Sequence, residues 1–215
     1  MKAKRVKKLD SAATLAENAA RIVLVRLDEL RSFAPRALEP DRAKAQHDMR
    51  IAAKRVRYIL EATEMCFGRP GAVARRRARD LQDVLGEMHD CDVMLPRVER
   101  HVAALREADA EAIRAAASDE ADLDPAFAAK APNRTAYRGL EVLATFLAAR
   151  RRYLHDRFRG MWEAQERNGS WDSLERAAKR VLSEPPRRPA DSDAASPPAE
   201  EPADPQAQAA VAHAA

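Results

Sequence analysis

The stretch AQHDMRIAAKRVRYILEATEMCF, residues 45–67, sorts apolar and basic side chains onto two sides of one helix. At about 100° per residue, a mostly apolar side groups six residues: Met49, Ala52, Val56, Leu60, Thr63 and Phe67. The opposite side carries His47, Arg50, Lys54, Arg57 and Tyr58, and Arg55 stands apart from both. The spacing predicts an amphipathic helix with one side in the core and one cationic side.

The composition extends this prediction to the whole chain. The sequence is rich in Ala, Arg, Leu and Glu and has 6 Gly and 5 % aromatic residues. Good helix formers without many β-branched or aromatic residues favour an all-α fold. Prolines and turn sequences divide it into segments, which we place at residues 12–34, 41–66, 71–118, 134–167 and 170–182. We therefore expect an antiparallel helical bundle of four to five helices.

Two local signals refine these boundaries. Pro96 lies in the middle of the third segment, where a missing amide donor and a ring clash predict a kink or break near Met94 to Pro96. Asn168 and Gly169 are expected to end one helix, and a nearby Ser or Asp is expected to cap the next.

The charge is distributed unevenly between the ends and the body of the chain. Residues 184–215 contain many Pro and Ala residues and one large apolar residue, which predicts a disordered tail. This tail has six acidic and two basic residues and therefore a net charge of −4. Because the whole chain has a net charge of +4, residues 1–183 carry +8. We predict a basic extension at 1–11, a helical domain at 12–183 and the acidic tail at 184–215.

Several protein classes lack support in this sequence. The sequence has no apolar run long enough to predict a membrane span. Its basic start is not followed by the apolar segment of a secretory signal, so we expect a cytoplasmic protein. Cys66 and Cys91 have no CxxC spacing and are expected to be buried, reduced thiols. The sequence has no GxGxxG, GxxxxGK[ST] or HExxH motif, and we expect no cofactor.

The cationic side of the first stretch has two interpretations. Exposed helix faces are commonly charged, but they usually mix acidic and basic residues at i,i+4 spacing. Here no acidic residue joins the basic side between His47 and Arg57, and the first acid is Glu61. Because like charges at this spacing repel by a few tenths of a kcal/mol per pair, the face is either solvated surface or a binding site for an anion.

A second polar side occurs in RRRARDLQDVLGEMHDCDVML, residues 75–95. Arg75, Arg79, Gln82, Gly86 and His89 share it, next to an apolar side formed by Leu81, Val84, Leu85, Met88 and Leu95. A glycine inside a helix costs about 1 kcal/mol relative to Ala, so this one suggests the close approach of another helix or of a ligand. Asp92 lies among apolar neighbours, and we expect an arginine from the 47–57 helix to pair with it.

The two basic stretches together resemble a known family. HDMRIAAKRVRYILE, residues 47–61, followed by LQDVLGEMHDCDVML, residues 81–95, resembles the CHAD domain, the conserved histidine α-helical domain. LATFLAARRRYLHDRFRGMW, residues 143–162, resembles its final helix more weakly, so the resemblance spans about 14–165.

The resemblance implies an all-helical protein that binds inorganic polyphosphate through a basic groove, with no catalytic residue and no metal. Residue by residue it implies a phosphate-binding set: His47, Arg50, Lys54, Arg55 and Arg57 from the first motif, Arg79 and His89 from the second, and Arg150 from the last. Bound phosphate should favour the charged form of the two histidines, so affinity should fall above pH about 7 to 8. Because the ligand is a polyanion, affinity should also fall as the salt concentration rises.

One departure from the family suggests an oligomer. The family's full domain has two related halves, each with a histidine-containing helix, whereas this chain has one copy, closest to the C-terminal half. We therefore expect two chains to pair as a homodimer with their basic helices facing each other.

Two other functions fit parts of this sequence. His-Asp pairs at 47–48 and 89–90 occur in metal-dependent phosphohydrolases, although a lining of Arg and Lys disfavours a metal dication. A body with a charge of +8 also attracts nucleic acid without sequence preference. The resemblance favours polyphosphate, either at storage granules or in regulation.

Overall fold

A computed structural model describes residues 2–117 and 125–184. These residues form helices and no strand: α1 at Leu15–Ala37, α2 at Ala43–Thr63, a 3-10 turn at Glu64–Cys66, α3 at Gly68–Ala116, α4 at Ala126–Ala129, α5 at Arg134–Arg167 and α6 at Ser170–Ser183. Because α4 is a single turn, five longer helices build the bundle. The predicted all-α fold is confirmed.

The two ends of α1 differ in how they are held. A capping box starts the helix, in which the Thr14 side chain accepts from the Glu17 amide and the Glu17 carboxylate accepts from the Thr14 amide. The predicted end at residue 34 is wrong, because α1 continues through Pro35 to Ala37. Pro35 removes only one bond near the end of the helix, and the buried Ala34 and Ala37 hold this turn against the core.

Of the kink or break predicted near Pro96, the break is wrong. α3 runs for 49 residues without interruption, with Pro96 inside it. Pro96 is exposed, so water can satisfy the carbonyl that loses its amide partner, while α5 packs along this part of α3.

Two glycines with left-handed backbone mark the sharp turns. Gly68 starts α3 at φ 57°, and Gly169 separates α5 from α6 at φ 59°. These are conformations in which a side chain is strained. Asn168 and Gly169 end α5 as expected, but Gly169 itself is the N-cap of α6, which has no side-chain capping bond, so the predicted Ser or Asp cap is wrong.

The core lies where α1, α2, α3 and α6 meet the C-terminal half of α5. All six residues predicted for the apolar side of α2 are buried. The α5 and α6 helices are joined by a stacked pair of tryptophans, Trp162 and Trp171, with ring centroids 6.2 Å apart. This packing fixes the cationic side of α2 at the surface.

Beyond the core, α3 continues along α5 alone for much of its length. Arg106 of α3 pairs with Glu141 of α5, and Asp109 accepts from the backbone and side-chain nitrogens of Asn133 at 2.9 and 3.0 Å. Because the later residue of α3 contacts the earlier residue next to or in α5, the two helices are antiparallel. We call residues 93–116 with 134–148 the two-helix arm.

Three further expectations can be compared with the described residues. Cys91 is buried and its pKa is raised by burial, whereas Cys66 is only partly buried, which corrects the prediction for that thiol. No helix in the described ranges has the length and apolarity needed to cross a membrane. The predicted disordered tail lies outside the described residues, apart from Glu184.

Candidate anion-binding site

The cationic side of α2 remains partly exposed in the folded protein. His47, Arg50, Lys54 and Arg57 are all half-buried, and Tyr58 is 49 % exposed. The ammonium group of Lys54 lies 5.4 Å and the guanidinium carbon of Arg57 4.9 Å from the centre of the Tyr58 ring. The ring therefore orients two cations through its negative face, and Arg57 is also paired with Glu61, whose carboxylate lies 3.1 Å from the Arg57 Nε atom.

A pair of histidines joins α2 to α3. The rings of His47 and His89 have centroids 4.6 Å apart and are tilted by 46°. The Nδ1 atom of His47 is buried and has no hydrogen-bond partner. Burial, followed by the nearby His89 and Arg50, lowers the pKa of His47 below its usual value of 6.5. This imidazole is therefore mostly neutral at pH 7 in the unliganded protein, and its buried Nδ1 atom has no hydrogen-bond partner among the described residues.

Arg50 crosses α3 where Gly86 leaves room for it. A Cβ at position 86 would lie 3.4 Å from the Arg50 Nε atom and 4.0 Å from its Nη2 atom. The expected close approach at Gly86 is thus the side chain of Arg50. Its Nε atom is buried without a hydrogen-bond partner, and Arg50 forms no ion pair with any described residue. A buried guanidinium donor without a partner is costly and marks a place for an acceptor from outside the chain.

The register of the two helices extends the site along α3. His47 faces His89 and Arg50 faces Gly86, so an advance of three residues in α2 matches a retreat of three in α3. By the same antiparallel register, with about 1.5 Å per residue in each helix, Lys54 lies level with Gln82 and Arg57 with Arg79. We call His47, Arg50, Lys54, Arg57 and His89 the basic groove.

Two further polar side chains, Gln82 and Arg79, lie at the border of the basic groove. The Gln82 Oε1 atom is buried without a partner. Arg79 is exposed, and its Nε atom is 3.9 Å from the Asp83 carboxylate, which is a loose ion pair on an open surface. Arg79 is therefore available to a ligand at one end of the groove.

The other two residues of the expected set lie elsewhere. Arg55 points to α1, where its Nη1 atom donates to the buried carboxylate of Glu29 at 2.6 Å. Arg26 donates to the same carboxylate at 2.8 Å. Arg150 pairs with Glu87 on the face of α3 that meets α5. The structure brings five of the eight expected residues together, with Arg79 beside them, and does not group Arg55 or Arg150 with them.

The partner of Asp92 differs from the expectation. It is Arg151 of α5, not an arginine of the 47–57 helix, and the Arg151 Nε atom donates to Asp92 Oδ1 at 2.9 Å. The same guanidinium donates to the Pro40 carbonyl at 2.7 Å and to Gln46 Oε1 at 2.5 Å. Sequence reasoning missed Arg151, although its place on the side of α5 shared with the buried Leu154 and His155 was a usable signal.

The acidic residues near the groove do not form a metal site. Asp48 points away from His47 and accepts from Lys44 at 2.9 Å. Within residues 2–117 and 125–184, no three His, Cys, Asp or Glu side chains are grouped closely enough to hold a metal ion.

Comparison with protein families links this geometry to a known domain. Residues 2–99 match the family model described as the CHAD domain. The match includes both motifs that build the basic groove and ends before the weaker segment at 143–162. Comparisons with the curated proteins and with the solved structures gave no match. The resemblance seen in the two motifs is confirmed over residues 2–99 of this chain, which are similar to the CHAD domain.

Proposed function

We propose that this protein binds inorganic polyphosphate in the basic groove and does not chemically change it. The observation that carries the proposal is the side chain of Arg50, which lies against α3 with a buried donor that no residue of the described chain satisfies. The CHAD domain is a polyphosphate-binding domain family, which gives the proposed anion its identity.

The arrangement of donors suits a chain of closely spaced phosphates. Arg50 offers a planar fork to phosphate oxygens, and Lys54, about one turn further, offers a mobile ammonium. Arg57 extends the same side of α2 by another turn, and Arg79 stands level with it on α3. Successive cations along one line can contact successive phosphates of a flexible polymer, whereas a single small anion would use only one or two of them.

The histidine pair adds a response to protonation. His47 is neutral when the groove is empty, because burial and its cationic neighbours lower its pKa. A phosphate oxygen placed near this imidazole favours the charged form and raises the pKa again. Binding is therefore expected to take up protons.

The same proposal covers location and assembly. We expect the protein to act in the cytoplasm, at polyphosphate granules or on a regulated partner, and to form a homodimer. Nucleic acid should bind only without sequence preference, because a single aromatic side chain, Tyr58, lies beside the groove for base stacking.

A titration with polyphosphates of defined length tests the proposal. Arg50→Ala/Lys54→Ala should weaken binding about 100-fold or more, since each charge-assisted hydrogen bond contributes about 1.5–3 kcal/mol. The matched control is Arg97→Ala/Arg176→Ala, which removes the same charge from exposed positions outside the groove. Equal losses in both variants would show that the general positive field, and not the groove, holds the polymer.

Two additional measurements separate the rival functions. Long-chain polyphosphate should remain bound in excess duplex DNA at moderate salt, and its displacement would indicate a nucleic-acid binder. Phosphate release should stay at background when Mg²⁺ or Mn²⁺ is added, and release that disappears in His47→Gln would instead indicate a phosphohydrolase.

A further inference from the structure

α5 exposes a row of apolar side chains on the side facing away from the core. Val142, Phe146 and Tyr153 are 71, 56 and 65 % exposed, and Ala149 is exposed between the last two. We call these four residues the α5 seam. Their spacing of four, three and four residues is the spacing of a coiled-coil seam. An open groove of about 530 Å³ runs along its N-terminal part.

We propose that the α5 seam pairs with the α5 seam of a second copy of this chain, with the two helices antiparallel about a two-fold axis. This inference replaces the pairing of basic helices expected from the sequence with a pairing through α5. Its first argument is the order of side-chain sizes. If the axis passes level with residues 147 and 148, Val142 lies opposite Tyr153 of the second copy, and Phe146 lies opposite Ala149. Each larger ring then meets a smaller side chain, as close packing requires.

The second argument is charge complementarity on one edge of the seam. A two-fold axis perpendicular to both helices sets each edge of one helix beside the same edge of its partner. On the edge that contains Arg138, the antiparallel register places Arg138 within one residue, about 1.5 Å along the axis, of Asp156 of the second copy. Arg138 is exposed and forms no ion pair within the described chain, and Asp156 has only a loose contact with Arg159 at 3.4 Å. The symmetry repeats this pair, so two opposite-charge contacts are available.

The charged side chains on the opposite edge are basic. Arg150 and Arg157 lie on it, both exposed, and the pairing brings both copies of each onto one side of the dimer. Arg150 is paired with Glu87 of its own chain, and Arg157 forms no ion pair within the described residues, so this side of the dimer has an excess of positive charge. A polyanion that reaches this edge should therefore favour the dimer, a consequence that rests on the proposed function, whereas the pairing itself does not.

The size of the surface predicts the strength of the pairing. One face of about three helical turns belongs to the small interfaces, below about 1,200 Å² in total, which are typical of transient complexes. We therefore expect a dimer whose population depends on protein concentration over the micromolar range.

Sedimentation velocity of the full chain over a concentration series tests the seam. The wild type should shift from the 23.9 kDa monomer towards twice that mass as concentration rises. Phe146→Asp should weaken dimerisation about 10-fold or more, because it removes a large apolar contact and buries a charge. Met65→Asp is the matched control, since Met65 is 72 % exposed and lies outside α5. A wild type that stays monomeric throughout, or a Phe146→Asp variant that dimerises equally well, would overturn the proposal.

A charge exchange tests the orientation. Arg138→Glu should weaken the dimer by placing a second acid opposite Asp156 of the partner, and Arg138→Glu/Asp156→Arg should recover most of the loss. No loss in the single variant, or no recovery in the double variant, would exclude the antiparallel register.

Addition of polyphosphate separates this inference from the proposed function. Long chains should increase the dimer fraction of the wild type and of Met65→Asp but not of Phe146→Asp. If polyphosphate fails to bind while the seam variants behave as described, the proposed function fails and the dimer stands. If polyphosphate binds tightly and the wild type remains a monomer, the dimer proposal fails and the proposed function stands.

Discussion

Arg50 and Arg151 are two partly buried arginines in neighbouring parts of the bundle, and they have opposite surroundings. Arg151 donates to a carboxylate, an amide oxygen and a backbone carbonyl, which lie on α3, α2 and the turn before α2. Arg50 lies across Gly86 with its Nε atom buried and unpartnered. The satisfied guanidinium joins helices together, whereas the one without an ion pair is the donor that we propose for a ligand.

The contrast predicts opposite effects for the two groups of arginines. Variants of the satisfied arginines should lower stability and leave binding by the folded protein intact. Variants in the basic groove should weaken binding and leave stability intact or increase it, because they remove repulsion between neighbouring cations.

The largest expected effect on stability belongs to Arg151→Ala. The substitution leaves the half-buried Asp92 without its partner and removes two further hydrogen bonds, so unfolding should become easier by about 3 kcal/mol. Urea unfolding measures this change. The control is Arg152→Ala, an exposed neighbour, which should change stability by less than about 0.5 kcal/mol. A variant of normal stability with weak polyphosphate binding would place Arg151 in the site instead.

Arg55→Ala should give the next largest effect, again on stability. It removes one of two arginines that neutralise the Glu29 carboxylate, and Arg26 remains, so we expect a loss of about 2 kcal/mol. Affinity for polyphosphate, measured on the folded protein, should change less than about twofold. A loss of affinity as large as that of Arg50→Ala would return Arg55 to the phosphate-binding set.

The pH dependence of binding should be moderate. The groups that face His47 are His89 from α3 and Arg50 from α2, while Asp48 partly offsets them. Because the pKa of His47 is lowered in the free protein and raised by phosphate, affinity should increase as pH falls from 8 to 6, by about threefold to tenfold.

Calorimetric titrations in buffers of different ionisation enthalpy measure the expected proton uptake. His47→Gln should flatten the dependence, whereas His101→Gln, which changes an exposed histidine elsewhere on α3, should not. The same lowered pKa means that the free protein loses part of its stability in acid, as pH falls below 6.5 and this histidine must take up a proton. The stability of the wild type should therefore fall relative to that of His47→Gln between pH 7 and 5. A difference in unfolding free energy between the two proteins that does not change over this range would contradict the prediction.

Gly86→Ala should have the smallest effect. A methyl group would touch the Arg50 Nε atom at 3.4 Å, so the guanidinium has to shift slightly. Removing a glycine from a helix interior stabilises it by about 0.5–1 kcal/mol. We expect higher thermal stability together with a loss of affinity below about tenfold. Gly160→Ala is a suitable control, because nothing lies within 4 Å of its added methyl group.

Sequence periodicity was sufficient for the helices and for the basic side of α2. The apolar positions from Met49 to Phe67 recur at helical spacing, and this pattern alone predicts which side is buried. The side chains of α2 and α3 on their polar sides were recognised in the same way, and the structure shows that the two sides meet at His47 and His89.

Periodicity was insufficient wherever the answer depended on which helix lies nearby. A helical wheel gives the direction of Arg55 but not the presence of Glu29 on α1, 26 residues earlier. It places Asp92 among apolar neighbours but cannot distinguish an arginine of α2 from Arg151 of α5. The predicted helix end at residue 34 and the predicted break at Pro96 failed for a related reason, since packing against the core and α5 supplies what the local sequence lacks.

The length of α3 has a consequence for its dynamics. The helix is about 73 Å long at 1.5 Å per residue, yet its contribution to the main core ends at Cys91, and beyond it only Val98, Val102 and Asp109 are buried. Amide hydrogens before Cys91 should exchange with solvent only when the whole bundle unfolds. Those of the two-helix arm should exchange through smaller, local openings, so a single uninterrupted helix should show two classes of protection.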